Sequence, residues 1–167
     1  MEVYILRHGI AEKMGSDGSD AERALTPKGR QKLRQVLRLV RAAAVRPSVI
    51  LTSPLVRAVQ TAEVAAEMFA HHHELVQTTA LLPTASPQDV WQELRSRKNE
   101  PELLLVGHEP LLGQVVGYLL GTPGLRVDLK KAGLIRIRLE RFAPAPSGIL
   151  KWVLTPKLAP LQLPVPK

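Results

Sequence analysis

There is no cysteine anywhere in the 167 residues. Disulfides, thiolate nucleophiles and cysteine-held metals are therefore excluded, and the chain makes no demand for an oxidising compartment. Aromatics are nearly as scarce, at 4%, so a core must be assembled from Leu, Val, Ala and Ile. No apolar run approaches the roughly 20 residues that a bilayer span requires. The chain opens on Val3-Tyr4-Ile5-Leu6 rather than on the basic, apolar and small-residue order of a secretory leader. A cytoplasmic location with no membrane partner is the expectation. Acid is in deficit too: 23 Lys and Arg stand against 15 Asp and Glu, a net charge of +8. Such a surface favours anions. Basic proteins that bind single strands interleave aromatics with their charges, and this one does not. Nucleic acid is disfavoured; an anionic substrate, an acidic protein or a merely well-solvated surface all fit.

What the chain does contain is a repeated unit, a short apolar run followed by a helix. Val3 to Leu6 reads as a buried strand. Residues 10–25 are polar and irregular and read as a loop. Thr26 caps a helix with Pro27 at its first position, and Leu33, Val36, Leu37 and Val40 supply its apolar stripe. Ser48 to Thr52 is a second strand. Ser53-Pro54 looks like a second cap-and-proline start, for a helix with Arg57 in its first turn. His71-His72-His73 reads as a solvated helix end, because three adjacent histidines cannot face one metal. Leu75 to Gln77 suggests a short strand, and Ser86-Pro87 opens a third helix carrying Val90, Trp91 and Leu94. Leu103 to Val106 is a third strong strand, with Gly107-His108-Glu109-Pro110 at its end and an apolar helix behind it. Leu134 to Leu139 and Ile149 to Leu154 read as a hairpin. After Thr155 the prolines forbid regular structure.

Strands alternating with helices through short connections predict a three-layer α/β/α sandwich with a mostly parallel sheet and no large lid insertion. The expected division is one domain over 1–155 and a proline-rich tail over 156–167. In such sheets the loops that follow the strands share one edge, where ligands bind. Arg7-His8-Gly9, Ser53 to Arg57 and Gly107-His108 all fall at that edge. Each alone has a bland reading: a polar strand end, a surface arginine, a hydrogen-bonded structural histidine. Together they gather two arginines, two histidines and a helix N-terminus, which attracts anions. Arg7 offers a fork for phosphate oxygens, and Gly9 lets the backbone turn and a ligand approach. A phosphate-like oxyanion is the expected occupant. Two arginines repel a divalent cation, so neither a metal nor another cofactor is expected. No Ser or Cys nucleophile signature is present, which leaves histidine as the candidate nucleophile.

Leu6-Arg7-His8-Gly9, Leu25-Thr26-Pro27-Lys28-Gly29, Thr52-Ser53-Pro54-Leu55-Val56-Arg57-Ala58 with Gln60-Thr61-Ala62, and Val106-Gly107-His108-Glu109-Pro110 occur in this order. With them the chain resembles the histidine phosphatase superfamily, whose fold is phosphoglycerate mutase-like, and within it the SixA-type phosphohistidine phosphatases. Lys130-Lys131-Ala132-Gly133 and Leu154-Thr155-Pro156-Lys157 are similar to SixA-type sequences as well. The resemblance implies that His8 attacks phosphorus and is itself phosphorylated, while Arg7, Arg57 and His108 hold the phosphoryl oxygens. It implies a further phosphate contact at Arg23, with Gly9 and Ser53 lining the substrate. Many superfamily members carry a glutamate proton donor near Leu81 to Thr84, and this chain has no acid there. Glu12, Asp17 and Asp20 remain as candidate donors. The gap fits a phosphohistidine substrate on a phosphotransfer protein. Phosphatase action on small esters such as sugar phosphates, or an inactive phosphate-binding module, are the alternatives.

Overall fold

A computed structural model describes residues 1–72 and 74–159. The elements run β1 (Glu2–Arg7), α1 (Pro27–Ala42), β2 (Val49–Thr52), α2 (Val56–Phe69), β3 (Val76–Gln77), α3 (Pro87–Ser96), β4 (Glu102–Gly107), α4 (Leu111–Leu119), β5 (Leu134–Arg141) and β6 (Ser147–Leu154). They build one six-stranded sheet in the order β3-β2-β4-β1-β5-β6. The first four of these are mutually parallel; β5 runs antiparallel to β1 and β6 antiparallel to β5.

The parallel strands lie between two helical layers, which is why they read as unbroken apolar runs. Along β1, Val3 and Ile5 face α3 and α4, joining Val90, Leu94, Leu112 and Val115. Tyr4 and Leu6 face α1 and α2, joining Leu33, Leu37, Ala62 and Phe69. The predicted three-layer sandwich is thus the observed one. β5 and β6 form the predicted hairpin, whose outer strand leaves Ile149 and Val153 about half exposed.

Local signals place most helix starts. Thr26 accepts a hydrogen bond from Gly29 N at 2.9 Å, with Pro27 at the first position. Ser86 and Asp89 form a capping box ahead of α3. The start of α2 is different. It begins at Val56, with Leu55 at the cap and no side-chain cap bond, so Ser53-Pro54 is not the cap-and-proline start it resembles. Residues 10–25 are also more ordered than a polar loop suggests. Buried Ala11 and Leu25 pair in an antiparallel bridge, turning the segment into a closed strap. After β6, residues 156–159 form a turn, whose Ala159 packs on the α1/α2 side of the core. Of the proline-rich tail, residues 160–167 lie outside the described residues, as does His73. Among the described residues no helix is long and apolar enough to cross a membrane.

Candidate active site

Parallel strands deliver their C-terminal ends to one edge of the sheet, and three of them carry polar residues there. β1 ends in Arg7-His8, β2 in Thr52-Ser53 and β4 in Gly107-His108. The register puts Arg7 beside Gly107 and Thr52 beside Val106. His8 is 6% exposed, Ser53 0% and His108 2%, so these groups form a floor rather than a surface patch. The two imidazoles lie with centroids 5.0 Å apart and planes tilted by 52°.

Each floor residue has a fixed partner. His8 Nδ1 is 2.7 Å from the carbonyl of Gly9. A carbonyl only accepts, so the proton of the neutral ring sits on Nδ1 and Nε2 keeps its lone pair. Burial pushes the His8 pKa down to about 4; the Gly9 bond opposes this and the charges of Arg57, Arg7 and Lys131 add to it. His108 Nε2 and Ser53 Oγ share a hydrogen bond of 2.8 Å. Burial, with His8 and Arg57 beside it, takes His108 to about 3. Both rings are therefore neutral near pH 7. Ser53, read from the sequence as a helix cap, spends its hydroxyl on His108 instead.

The cations come from the walls. Arg7 Nη1 donates to Leu129 O at 2.8 Å, while Arg7 Nε is buried without a partner among the described residues. Arg57, 5% exposed in the second position of α2, donates from Nη1 to Asp20 O at 2.7 Å and from Nη2 to Asp20 Oδ2 at 2.8 Å. Arg23 takes the other carboxylate oxygen of Asp20 at 2.6 Å and donates from Nε to Glu12 O at 2.7 Å. One carboxylate thus bridges two guanidiniums. The expected anion site at the α2 N-terminus is modified by the same strap: Val56 N donates to Ala21 O at 3.1 Å.

The sequence-derived candidates fall into two groups. Arg7, His8, Gly9, Ser53, Arg57, His108, Asp20 and Arg23 come together. The Glu12 carboxylate makes no ion pair among the described residues, and Asp17 stays within its own turn. Glu12 contributes its carbonyl, and the Asp17 carboxylate accepts from Ser19 N at 2.8 Å. Asp20 is near the site, but Arg23 and Arg57 hold its carboxyl below the usual range, which makes it a placed anion and a poor proton donor. Gly9 has no left-handed backbone. Its freedom is spent on contact: a Cβ there would lie 3.1 Å from Leu25 and 3.5 Å from Gly29 O. Gly29 is tighter still, since its Cβ would meet Ile10 O at 2.1 Å. Both glycines bring the first turn of α1 against the backbone that follows His8.

Two contributors were not singled out from the sequence for a role. Thr61 Oγ1 donates to Arg57 O at 2.6 Å and accepts from Gly9 N at 3.1 Å, tying α2 to the backbone beside His8. The i to i+4 spacing from Arg57 was the available signal. Glu109, next to His108, is pushed upward by burial, with Gly113 N its backbone donor at 3.4 Å.

Comparison with known proteins bears on the family and the fold. The family model described as histidine phosphatase superfamily (branch 1) covers residues 3–81. An uncharacterized protein of Picosynechococcus sp. is 36% identical over 140 residues, which is 83% of this chain and 85% of that protein. The solved structure of the protein histidine phosphatase SixA complexed with tungstate superposes with a TM-score of 0.85 at 25% identity, covering 94% of this chain and 98% of the other. A protein of Agrobacterium tumefaciens carrying the SixA name gives a TM-score of 0.78 at 21% identity, over 92% and 97% of the two chains, a likeness of fold.

Proposed function

The chain belongs to the histidine phosphatase superfamily, and from that premise we propose that it removes the phosphoryl group from phosphohistidine on a protein, through a phosphorylated His8. The observation that carries this reading is the state of His8. Its Nδ1 is committed to Gly9 O and its Nε2 keeps a free lone pair near pH 7, on a neutral ring among arginines. In the first step Nε2 attacks phosphorus in line, and the bond from phosphorus to the substrate nitrogen breaks. In the second, water attacks phosphorus and returns Nε2 with release of phosphate. Arg7, Arg57 and His108 stabilise the equatorial oxygens throughout, a preorganised electrostatic contribution. Arg23 meets the phosphoryl group from the strap. Gly9 and Ser53 line its approach.

A nitrogen leaving group suits the segment where many superfamily members place an acid. Here it forms a short 3-10 turn, Thr79–Leu81, in which Ala80 and Leu81 are buried. An imidazole leaving group needs less help from a placed acid than an alkoxide does. No inserted domain covers the pocket among the described residues, which suits a protein substrate, and the SixA neighbour, a protein histidine phosphatase, supports the same substrate class. Residues 1–155 form the proposed catalytic unit with an appended tail, and a cytoplasmic setting goes with a chain free of cysteine.

The test compares turnover of a phosphohistidine-bearing phosphotransfer domain with that of p-nitrophenyl phosphate and sugar phosphates. The expected result is a kcat/KM for the protein substrate exceeding the others by at least about a hundredfold. A sugar phosphate leading the series would reassign the enzyme to small esters, and no turnover of any would make it a binding module.

A further inference from the structure

The phosphoryl contacts do not account for all the cations near the pocket. Past Arg7 the floor opens into a groove of about 380 Å³ walled by Ile10, Lys32, Lys130, Lys131 and Lys157. Lys32 comes from α1, Lys130 and Lys131 from the segment leading into β5, and Lys157 from the turn after β6. Three regions distant in sequence therefore bring four lysine side chains to one groove, which Arg7 also borders. Lys130 pairs with Asp128 at 2.5 Å; Lys32, Lys131 and Lys157 have no ion pair among the described residues. Lys131 is held below the ordinary lysine range, by partial burial first and then by Arg7, Arg23 and Arg57. Groove and pocket share one field. Like charges gathered this way repel one another in the free protein, and an anion among them relieves the repulsion.

The two cationic regions differ in kind. The pocket uses arginine, whose rigid fork matches a phosphoryl group; the groove uses lysine, a flexible point charge with no fixed donor geometry. Lysines tolerate carboxylates at varied positions. No aromatic residue lines the groove, which argues against stacked nucleobases, and Ile10 with Pro156 gives it an apolar base suited to side-chain stems. We propose that this groove docks an acidic segment of the substrate protein, whose Asp and Glu side chains sit among Lys32, Lys130, Lys131 and Lys157 while the phosphoryl group enters beside His8. The inference rests on the reading of the substrate as a phosphoprotein and adds what must flank the phosphorylated residue.

Docking is measured without turnover, by fluorescence anisotropy of a short labelled glutamate peptide at low salt. The full-length chain is compared with the double variant Lys32→Glu/Lys157→Glu and with Arg38→Glu/Arg41→Glu, which removes the same charge further along α1. The groove variant is expected to weaken binding by roughly tenfold or more, and the control by no more than roughly threefold. Equal loss in both variants, or loss in neither, overturns the proposal. So does a thymidine oligonucleotide that binds more tightly than the peptide and is lost in the groove variant. With substrates, the ratio of KM for a phosphohistidine protein to KM for p-nitrophenyl phosphate is expected to rise about tenfold in the groove variant alone. A wild-type chain that dephosphorylates no protein overturns the proposed function, and the peptide measurement still decides whether the groove receives acidic chains.

Discussion

The floor of the pocket and its strap present two ways of placing a polar group. His8, Ser53 and His108 stand at the ends of strands held on both sides by core, at 6% exposure or less. Their state is set by burial, the foremost cause of the low pKa of either imidazole. Asp20 and Arg23 stand on the strap, where the Asp20 side chain is 62% exposed. Their state is set by contact with each other and with Arg57, in a region where water screens charge. The floor is thus committed before a ligand arrives. The strap holds a carboxylate against Arg57, the arginine that the proposed mechanism gives to the phosphoryl group, and that contact can be exchanged.

If the contrast holds, damage should grade from floor to strap. The largest effect is expected at His8. His8→Ala should retain the fold by circular dichroism and lose all measurable turnover; activity near the wild-type level would remove His8 as nucleophile. Next comes Arg57, which lies in the wall yet is as buried as the floor. Arg57→Ala should lower kcat/KM by about 10² to 10³, the usual cost of losing one preorganised donor, measured with p-nitrophenyl phosphate.

Third is pH. With His8 at about 4 in the folded protein, the acid limb of kcat/KM should fall well below the ordinary histidine value near 6.5. An acid limb centred near 6.5 would mean that burial does not set the state of the floor. Stability carries the same sign. Both folded values lie below the unfolded one, so the unfolded chain binds more protons once the pH drops under about 6.5. The stability present above that pH should be lost progressively toward 4 and 3. Urea titrations at neutral pH and at successively lower pH would record the decline.

The smallest effect belongs to the strap. Asp20→Asn removes a negative charge from between Arg23 and Arg57, so tungstate should bind a few-fold more tightly, most clearly at low salt. Weaker tungstate binding would mean that Asp20 positions Arg57 rather than competing for it. A kcat that falls with poor leaving groups alone would restore Asp20 as a proton donor.

Much of this arrangement is legible residue by residue. Val3 to Leu6, Ile50-Leu51 and Leu103 to Val106 announce buried parallel strands because apolar residues fill both faces. Thr26-Pro27 and Ser86-Pro87 announce helix starts because the cap bond is local. Ser53-Pro54 carries the same local signal and misleads. Its hydroxyl meets His108, 55 positions away, and no window of sequence contains both. Gly9 is legible as a turn residue, but not its tightest contact: a Cβ there would meet the Leu25 side chain at 3.1 Å, 16 positions on.

The amino-acid order alone determined the parallel sheet, the edge at which Arg7, His8, Arg57 and His108 would meet, and the cationic character of the pocket they form. These follow from periodicity, helix and strand ends, and side-chain chemistry, all of which act within a few residues. Tertiary structure alone decided which nitrogen of His8 keeps its lone pair, that both imidazoles are neutral, that Asp20 spans two arginines, and that four lysines from three segments border one groove. Burial and through-space charge depend on the whole packed chain. A residue's protonation and partner are therefore known only once its neighbours in space, rather than in sequence, are in place.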